Sequence, residues 1–163
     1  MIKKVSFCGI LSALAIIVSV LESYVPIQAL VALPGVKLGI SNCLLLFVLH
    51  KFGFLYAFSV MITKCFVVSL LFNGFSGFMY SILGGILSIV VMYYALKLPL
   101  FFSTYGVSVL GAAFHNIGQI LAAVLLLKSV YIINYLPVLL FASIFTGVIT
   151  GIISKILIDK VKV

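Results

Sequence analysis

Acidic residues are nearly missing from this sequence: Glu22 and Asp159 are its two carboxylates, against ten Lys and no Arg. Two acids so far apart do not supply the carboxylate clusters that Mg²⁺-assisted diphosphate chemistry requires. No G-x-x-x-x-G-K-[ST] run is present, so the chain does not itself cradle and hydrolyse ATP. Cysteine is scarce as well. Cys8, Cys43 and Cys65 are odd in number, lie in apolar segments and show no C-x-x-C spacing, which excludes a disulfide framework. Together with His50 and His115 they are too scattered for a metal site, and they read as small core residues, while His50 beside Lys51 reads as an interface residue. No catalytic residue, metal or cofactor is expected.

What is abundant is apolar. Of the 163 residues 66% are hydrophobic and 7% charged, with a mean hydropathy of +1.48. A helical span takes roughly 20 residues, so the chain is expected to be an all-α membrane protein of six spans, one compact domain over residues 1–163 in contact with membrane lipid. The formal net charge of +8 would raise the question of nucleic acid in a soluble protein. Here the Lys are scattered one per connection and form no patch or stripe, so no nucleic-acid partner is expected.

The same Lys set the orientation. With the N-terminus inside, Lys3, Lys4, Lys51, Lys97, Lys155, Lys160 and Lys162 fall inside, Lys37 and Lys128 outside, and Lys64 within the membrane. The positive-inside rule then favours a cell-membrane protein with both termini cytoplasmic. Glu22, the Pro34 to Asn42 stretch and Asn73 follow into the outer half, and Tyr24, Tyr80, Tyr105, Tyr131 and Tyr135 are expected near outer ends, at the interface.

The spans divide as follows. Lys3 and Lys4 before an apolar run resemble a signal peptide, but the run continues to about Leu21 with no cleavage site, so a retained first span from about Val5 to Ser23 is expected. Its stripe Cys8, Ser12, Ala15, Ser19 leads up to Glu22, and Gly9 with Ala13 forms a small-x-x-x-small pair, either for packing within the bundle or for docking a partner helix. Tyr24 to Pro34 reads as a loop folded back on the bundle. A short second span, about Val36 to Phe52, begins at a Gly- and Pro-marked stretch containing Lys37, where a helix N-terminus can face a ligand. Span three runs from about Phe54 to Phe72 with Lys64 near its middle, at a cost of roughly 2.5 to 3.5 kcal/mol on insertion scales. A Gly-rich link, Asn73 to Gly77, precedes span four, which reaches about Leu96 and carries a small stripe of Gly77, Ser81, Gly84 and Ser88. Span six, about Tyr131 to Ile158, has a close-packing ridge of Ser143, Gly147 and Gly151.

Span five, Gly106 to Leu127, is where the others find their purpose. Ser108, Ala112, His115, Gln119 and Ala122 share one helical face with Gly111 and Gly118 beside it, while Leu110, Phe114, Ile117, Leu121 and Leu125 cover much of the rest. An unpaired amide or imidazole facing lipid costs roughly 2 to 7 kcal/mol, so this face turns toward other helices or a cavity. His115, Asn116 and Gln119 either orient a polar ligand head or hydrogen-bond between helices. Lys37, with Asn42 a turn further in, and Lys64 make a positive pocket for an anion, or else a buried pair with Glu22. Two Lys against one acid leave a surplus that favours the ligand.

Four stretches look like a known membrane family. They are Pro34-Gly35-Val36-Lys37-Leu38-Gly39-Ile40-Ser41-Asn42; Tyr80-Ser81-Ile82-Leu83-Gly84-Gly85 with Ser88 and Met92; Gly106-Val107-Ser108 through Gly111-Ala112 to His115-Asn116-Ile117-Gly118-Gln119; and Tyr135-Leu136-Pro137. They resemble the Gx transporter family, labelled heptaprenyl diphosphate synthase component I, over nearly the whole chain. That family is in turn similar to the S components of energy-coupling factor transporters. The resemblance implies six helices, cytoplasmic termini, a ligand site near the outer side, and a small-residue first helix that meets a transmembrane coupling subunit served by two ATPase subunits. It places Gly9 and Ala13 at the coupling motif, as G-x-x-x-A where A-x-x-x-A is usual. The enzyme label conflicts with the missing Asp-rich metal motifs, but it hints at an isoprenoid or quinone precursor as substrate.

The expected function is therefore a non-enzymatic binding and translocation subunit for a small, partly apolar, anionic molecule. The rival is a membrane accessory subunit of a prenyl diphosphate synthase.

Overall fold

A computed structural model describes residues 2–24, 37 and 39–161. Six α-helices follow one another: α1 Ile2–Ser23, α2 Asn42–Phe52, α3 Phe54–Val68, α4 Gly74–Leu96, α5 Thr104–Leu127 and α6 Leu136–Lys160, with no strand among the described residues. Five segments, Lys4–Ser23, Phe54–Phe72, Gly74–Leu96, Thr104–Leu127 and Val130–Lys160, are long and apolar enough to cross a membrane. The protein is thus a multi-pass membrane protein.

Helix α2 differs from the expected second span. Its 11 residues reach about 16 Å at 1.5 Å per residue, well short of a bilayer core of roughly 30 Å. It also begins at Asn42 and not near Val36. Lys37 therefore does not start a helix. Gly39 adopts φ +80, a left-handed conformation that a continuous right-handed helix does not admit. The expected loop from Tyr24 to Pro34 and the Pro34-Gly35-Val36 start lie outside the described residues beyond Tyr24. From Asn42 to Leu49 every residue of α2 is buried. A helix apolar on all sides belongs inside a bundle, and here Phe47, Leu45 and Leu46 are among the largest fully buried side chains. Ser154 of α6 ties it down by donating to the Cys43 carbonyl at 2.9 Å.

Two further boundaries move. The π-helical turn Ser69–Asn73 extends α3, and α4 follows directly with Gly74, whose φ of +59 breaks the helical path, so the expected link from Asn73 to Gly77 is not a separate segment. Val130–Tyr135 forms a 3₁₀ turn ahead of α6, so the helix starts at Leu136 with Pro137 in its first turn, where a missing N–H costs nothing.

Helix α5 is pressed between α4 and α6. A methyl group on Gly118 would lie 2.6 Å from the Gly84 Cα, and one on Gly147 would lie 2.5 Å from the Val109 Cα. Backbones this close require glycine at both crossings. Ser108 and Thr150 add a hydroxyl pair at 2.8 Å across the α5–α6 contact. The stripe on span four thus packs against α5, and the ridge on span six does the same from the other side.

The tyrosines follow the expectation only in part. Tyr24 and Tyr131 are exposed at helix ends, but Tyr80 is 2% exposed in the core, and Tyr105 opens α5 at the end opposite Tyr131. The three cysteines are free and buried in the core.

Candidate functional site

The segment just before α2 is held by side chains from three helices. Glu22, in the last turn of α1, accepts from the Ile40 N–H at 2.6 Å and the Ser41 N–H at 3.3 Å. A carboxylate at a helix N-terminus satisfies unpaired donors and faces the positive end of the helix dipole. Ser41 occupies the N-cap position of α2 yet makes no capping bond with its side chain. Its hydroxyl instead accepts from Lys64 Nζ at 3.0 Å. Glu22 thus takes the two N–H groups just ahead of α2, while those of Asn42, Cys43 and Leu44 turn back to the Gly39, Ile40 and Ser41 carbonyls.

Lys37 is fixed at both its backbone and its ammonium. Gln119 Oε1 accepts from the Lys37 N–H at 3.0 Å, and Gln119 Nε2 donates to the Lys37 carbonyl at 3.0 Å. The primary amide pairs with the peptide group as a neighbouring strand does. The Lys37 ammonium donates to the Ser19 carbonyl and hydroxyl, at 3.1 and 3.2 Å. His115 lies one turn before Gln119, and its Cδ2 would be 3.2 Å from a Cβ on Gly39.

All of these groups are buried: Glu22 is 3% exposed, Lys37 6% and Lys64 4%. Among the described residues the one ion pair is Lys155 with Asp159, at 3.5 Å on the surface. The buried pair of Glu22 with Lys37 or Lys64 is therefore not formed; the acid takes backbone N–H groups and the ammonium groups take Ser oxygens. Asn42 carries the sharpest deficit among the described residues, with neither Oδ1 nor Nδ2 hydrogen-bonded there although the side chain is buried, and His115 Nδ1 is likewise without a partner among them. Buried polar groups without partners are uncommon and point to a missing one.

The structure accordingly gathers Glu22, Lys37, Asn42, Lys64, His115 and Gln119 around the Gly39 to Asn42 turn. It separates Asn116 from them. Asn116 Nδ2 donates to the Leu139 carbonyl at 2.9 Å, so this amide bridges α5 to α6. Ser19 and Ser41 belong to the group although the sequence did not single them out as ligand residues. Their signal was helical spacing: Ser19 is one turn from Glu22, and Ser41 adjoins Asn42.

Gly9 and Ala13 lie toward the other end of α1, both exposed, and no described residue comes within 4 Å of a Cβ built on Gly9. They line a groove of about 470 Å³ between α1 and α3, with Tyr56, Ser59 and Thr63 on its far wall. Among the described residues no three His, Cys, Asp or Glu side chains gather as metal ligands.

No curated protein and no solved structure matches the chain. A family model, described as Heptaprenyl diphosphate synthase component I, matches residues 11–157.

Proposed function

Because the chain belongs to the heptaprenyl diphosphate synthase component I family, we propose that it is that family's membrane-embedded ligand subunit: it binds a small, partly apolar anion from the outer side and passes it inward. It works as the S component of an energy-coupling factor type transporter does, with a transmembrane coupling subunit and two ATPase subunits supplying the energy. The chain itself is not an enzyme. Both termini are cytoplasmic, and Glu22, Lys37, Asn42, Lys64, His115 and Gln119 lie in the outer half.

One observation carries this reading. Lys37 and Lys64 are both buried beside the same turn, and the nearby acid is engaged with backbone N–H groups. Burying an ammonium without a counter-charge costs several kcal/mol, and in membrane proteins such groups mark substrate pathways. An anionic ligand supplies the missing charge, and Asn42 and His115 offer it further polar contacts. Asn116 stays with the α5–α6 contact. The exposed Gly9 and Ala13 support a docking role for the outer face of α1, since small residues let a partner helix approach closely.

The family's description favours a second reading, an accessory subunit that holds a prenyl diphosphate synthase at the membrane. Purification under mild detergent separates the two. The first reading expects a coupling subunit and two ATPases to accompany the chain, and native mass spectrometry to find a retained anion that is lost in Lys64→Met. Recovery of a soluble synthase in their place establishes the second.

A further inference from the structure

The charges around the Gly39 to Asn42 turn do not cancel, and their remainder is small. Lys37 and Lys64 contribute two positive charges and Glu22 one negative, while His115 counts as neutral, which leaves a surplus of one. From this we infer that the site selects a singly charged anion, a carboxylate-like head group, and that Glu22 is the residue that sets this limit. The inference rests on the ligand-binding reading above and narrows its substrate class.

The physical basis is that charge is poorly screened inside a membrane protein. A monoanion brings the buried group to neutrality. A phosphate monoester carries about −1.5 to −2 near neutral pH, and a diphosphate carries more. Either would leave excess negative charge beside Glu22, without solvent to screen it. Glu22 cannot turn away to relieve this, because its two oxygens are held by the Ile40 and Ser41 N–H groups, at 2.6 and 3.3 Å. Neither Lys forms a direct ion pair with it, because their ammonium groups donate to Ser19 and Ser41. An acid fixed next to an anion site acts as a repulsive element against overcharged ligands.

Asn42 supplies the means to vary the count. Both of its polar side-chain atoms lack partners among the described residues, so Asn42→Asp breaks no hydrogen bond to them, and it adds a negative charge at the start of α2, where the helix dipole favours one. This variant reduces the surplus from one to none. Glu22→Gln raises it to two while keeping an amide oxygen to accept from one N–H.

The test uses the purified full-length chain in detergent and four probes on one isoprenoid tail: a prenyl alcohol, a prenyl carboxylate, a prenyl monophosphate and a prenyl diphosphate, with affinities from calorimetry. The wild type is expected to bind the carboxylate at least roughly tenfold more tightly than the diphosphate, the scale on which charge mismatch discriminates partners. Glu22→Gln is expected to reverse that order, and Asn42→Asp to lose the carboxylate while retaining the alcohol. A wild type that binds the diphosphate as tightly as the carboxylate, both dependent on Lys64, overturns the charge limit and leaves the binding reading standing. Should Glu22→Gln fail to fold, an Asn42→Asp protein that still binds the carboxylate like the wild type overturns it equally. Absence of Lys64-dependent binding for every charged probe overturns both readings.

Discussion

Gln119 grips Lys37 by its peptide group from both sides, accepting from the N–H and donating to the C=O at 3.0 Å each, across 82 residues of sequence. A side chain of α5 thereby does for the approach to α2 what a strand partner does in a sheet. Replacing it removes both bonds at once. Gln119→Leu leaves a buried donor and a buried acceptor unpaired, each costing about 1–3 kcal/mol, so the ligand-free protein is expected to melt at clearly lower temperature. The isosteric Gln119→Glu keeps the acceptor, loses the donor and adds a charge. It is expected to melt lower than wild type too, and a melting curve that matches wild type in both variants would refute the structural role.

Lys64→Met is expected to act on the ligand and not on the fold. The ammonium has a single bond to a neutral hydroxyl, from Ser41, among the described residues. Its removal leaves no acid stranded, since Glu22 bonds to backbone N–H groups. Melting of the ligand-free protein should hold or rise. Affinity for the retained anion should fall by the worth of a charge-assisted hydrogen bond, roughly 1.5 to 3 kcal/mol. Calorimetry and melting together check this, and unchanged affinity would end the ligand role of Lys64.

Gly9→Leu and Ala13→Leu should separate folding from assembly. Both positions are exposed and Gly9 has open space around it, so added bulk is tolerated by the isolated subunit, whose melting and ligand affinity are expected to stay as they are. Complex yield with the coupling subunit should drop, because bulk on this ridge forces helices apart. Wild-type yield from both variants would remove the docking role. Gly118→Ala is the contrast. Its methyl would meet Gly84 Cα at 2.6 Å, so it should destabilise the isolated subunit by about 1–3 kcal/mol, the range for overpacking.

Terminal reporter fusions check the orientation. With Lys concentrated on one side, tags at both ends are expected to report from the cytoplasm. A reporter active outside the cell at either end would overturn the topology and with it the outer placement of Glu22.

The apolar runs and the helical spacing made five long helices legible, and they made the polar face of α5 legible residue by residue. His115 and Gln119 are buried as that stripe required, while Leu121 and Leu125 are exposed. The start of α2 was not legible. It depends on Glu22 arriving from 18 residues away and on the positive φ of Gly39, and local periodicity carries neither. Asn116 misled for a related reason. As a neighbour of His115 it looked like part of one polar group, but adjacent residues on a helix point about 100° apart, and its partner turned out to be a carbonyl of α6. For Lys64 and Glu22 the residue types left a buried ion pair as the alternative to an anion site, and the geometry gives each a different partner.

The glycine contacts that press α5 between α4 and α6 leave those three helices little freedom to slide, because backbone meets backbone at Gly118 and at Gly147. The other side of the bundle is built differently. Helices α1 and α3 pack on each other and reach the Gly39 to Asn42 turn through the tips of Glu22 and Lys64, with a groove opening between them beside Gly9 and Ala13. There the turn is held by side-chain hydrogen bonds and not by backbone contact. The turn is therefore held from one side by Gln119 on the tightly packed α5 and from the other by Glu22 and Lys64, whose helices also flank the groove beside Gly9 and Ala13.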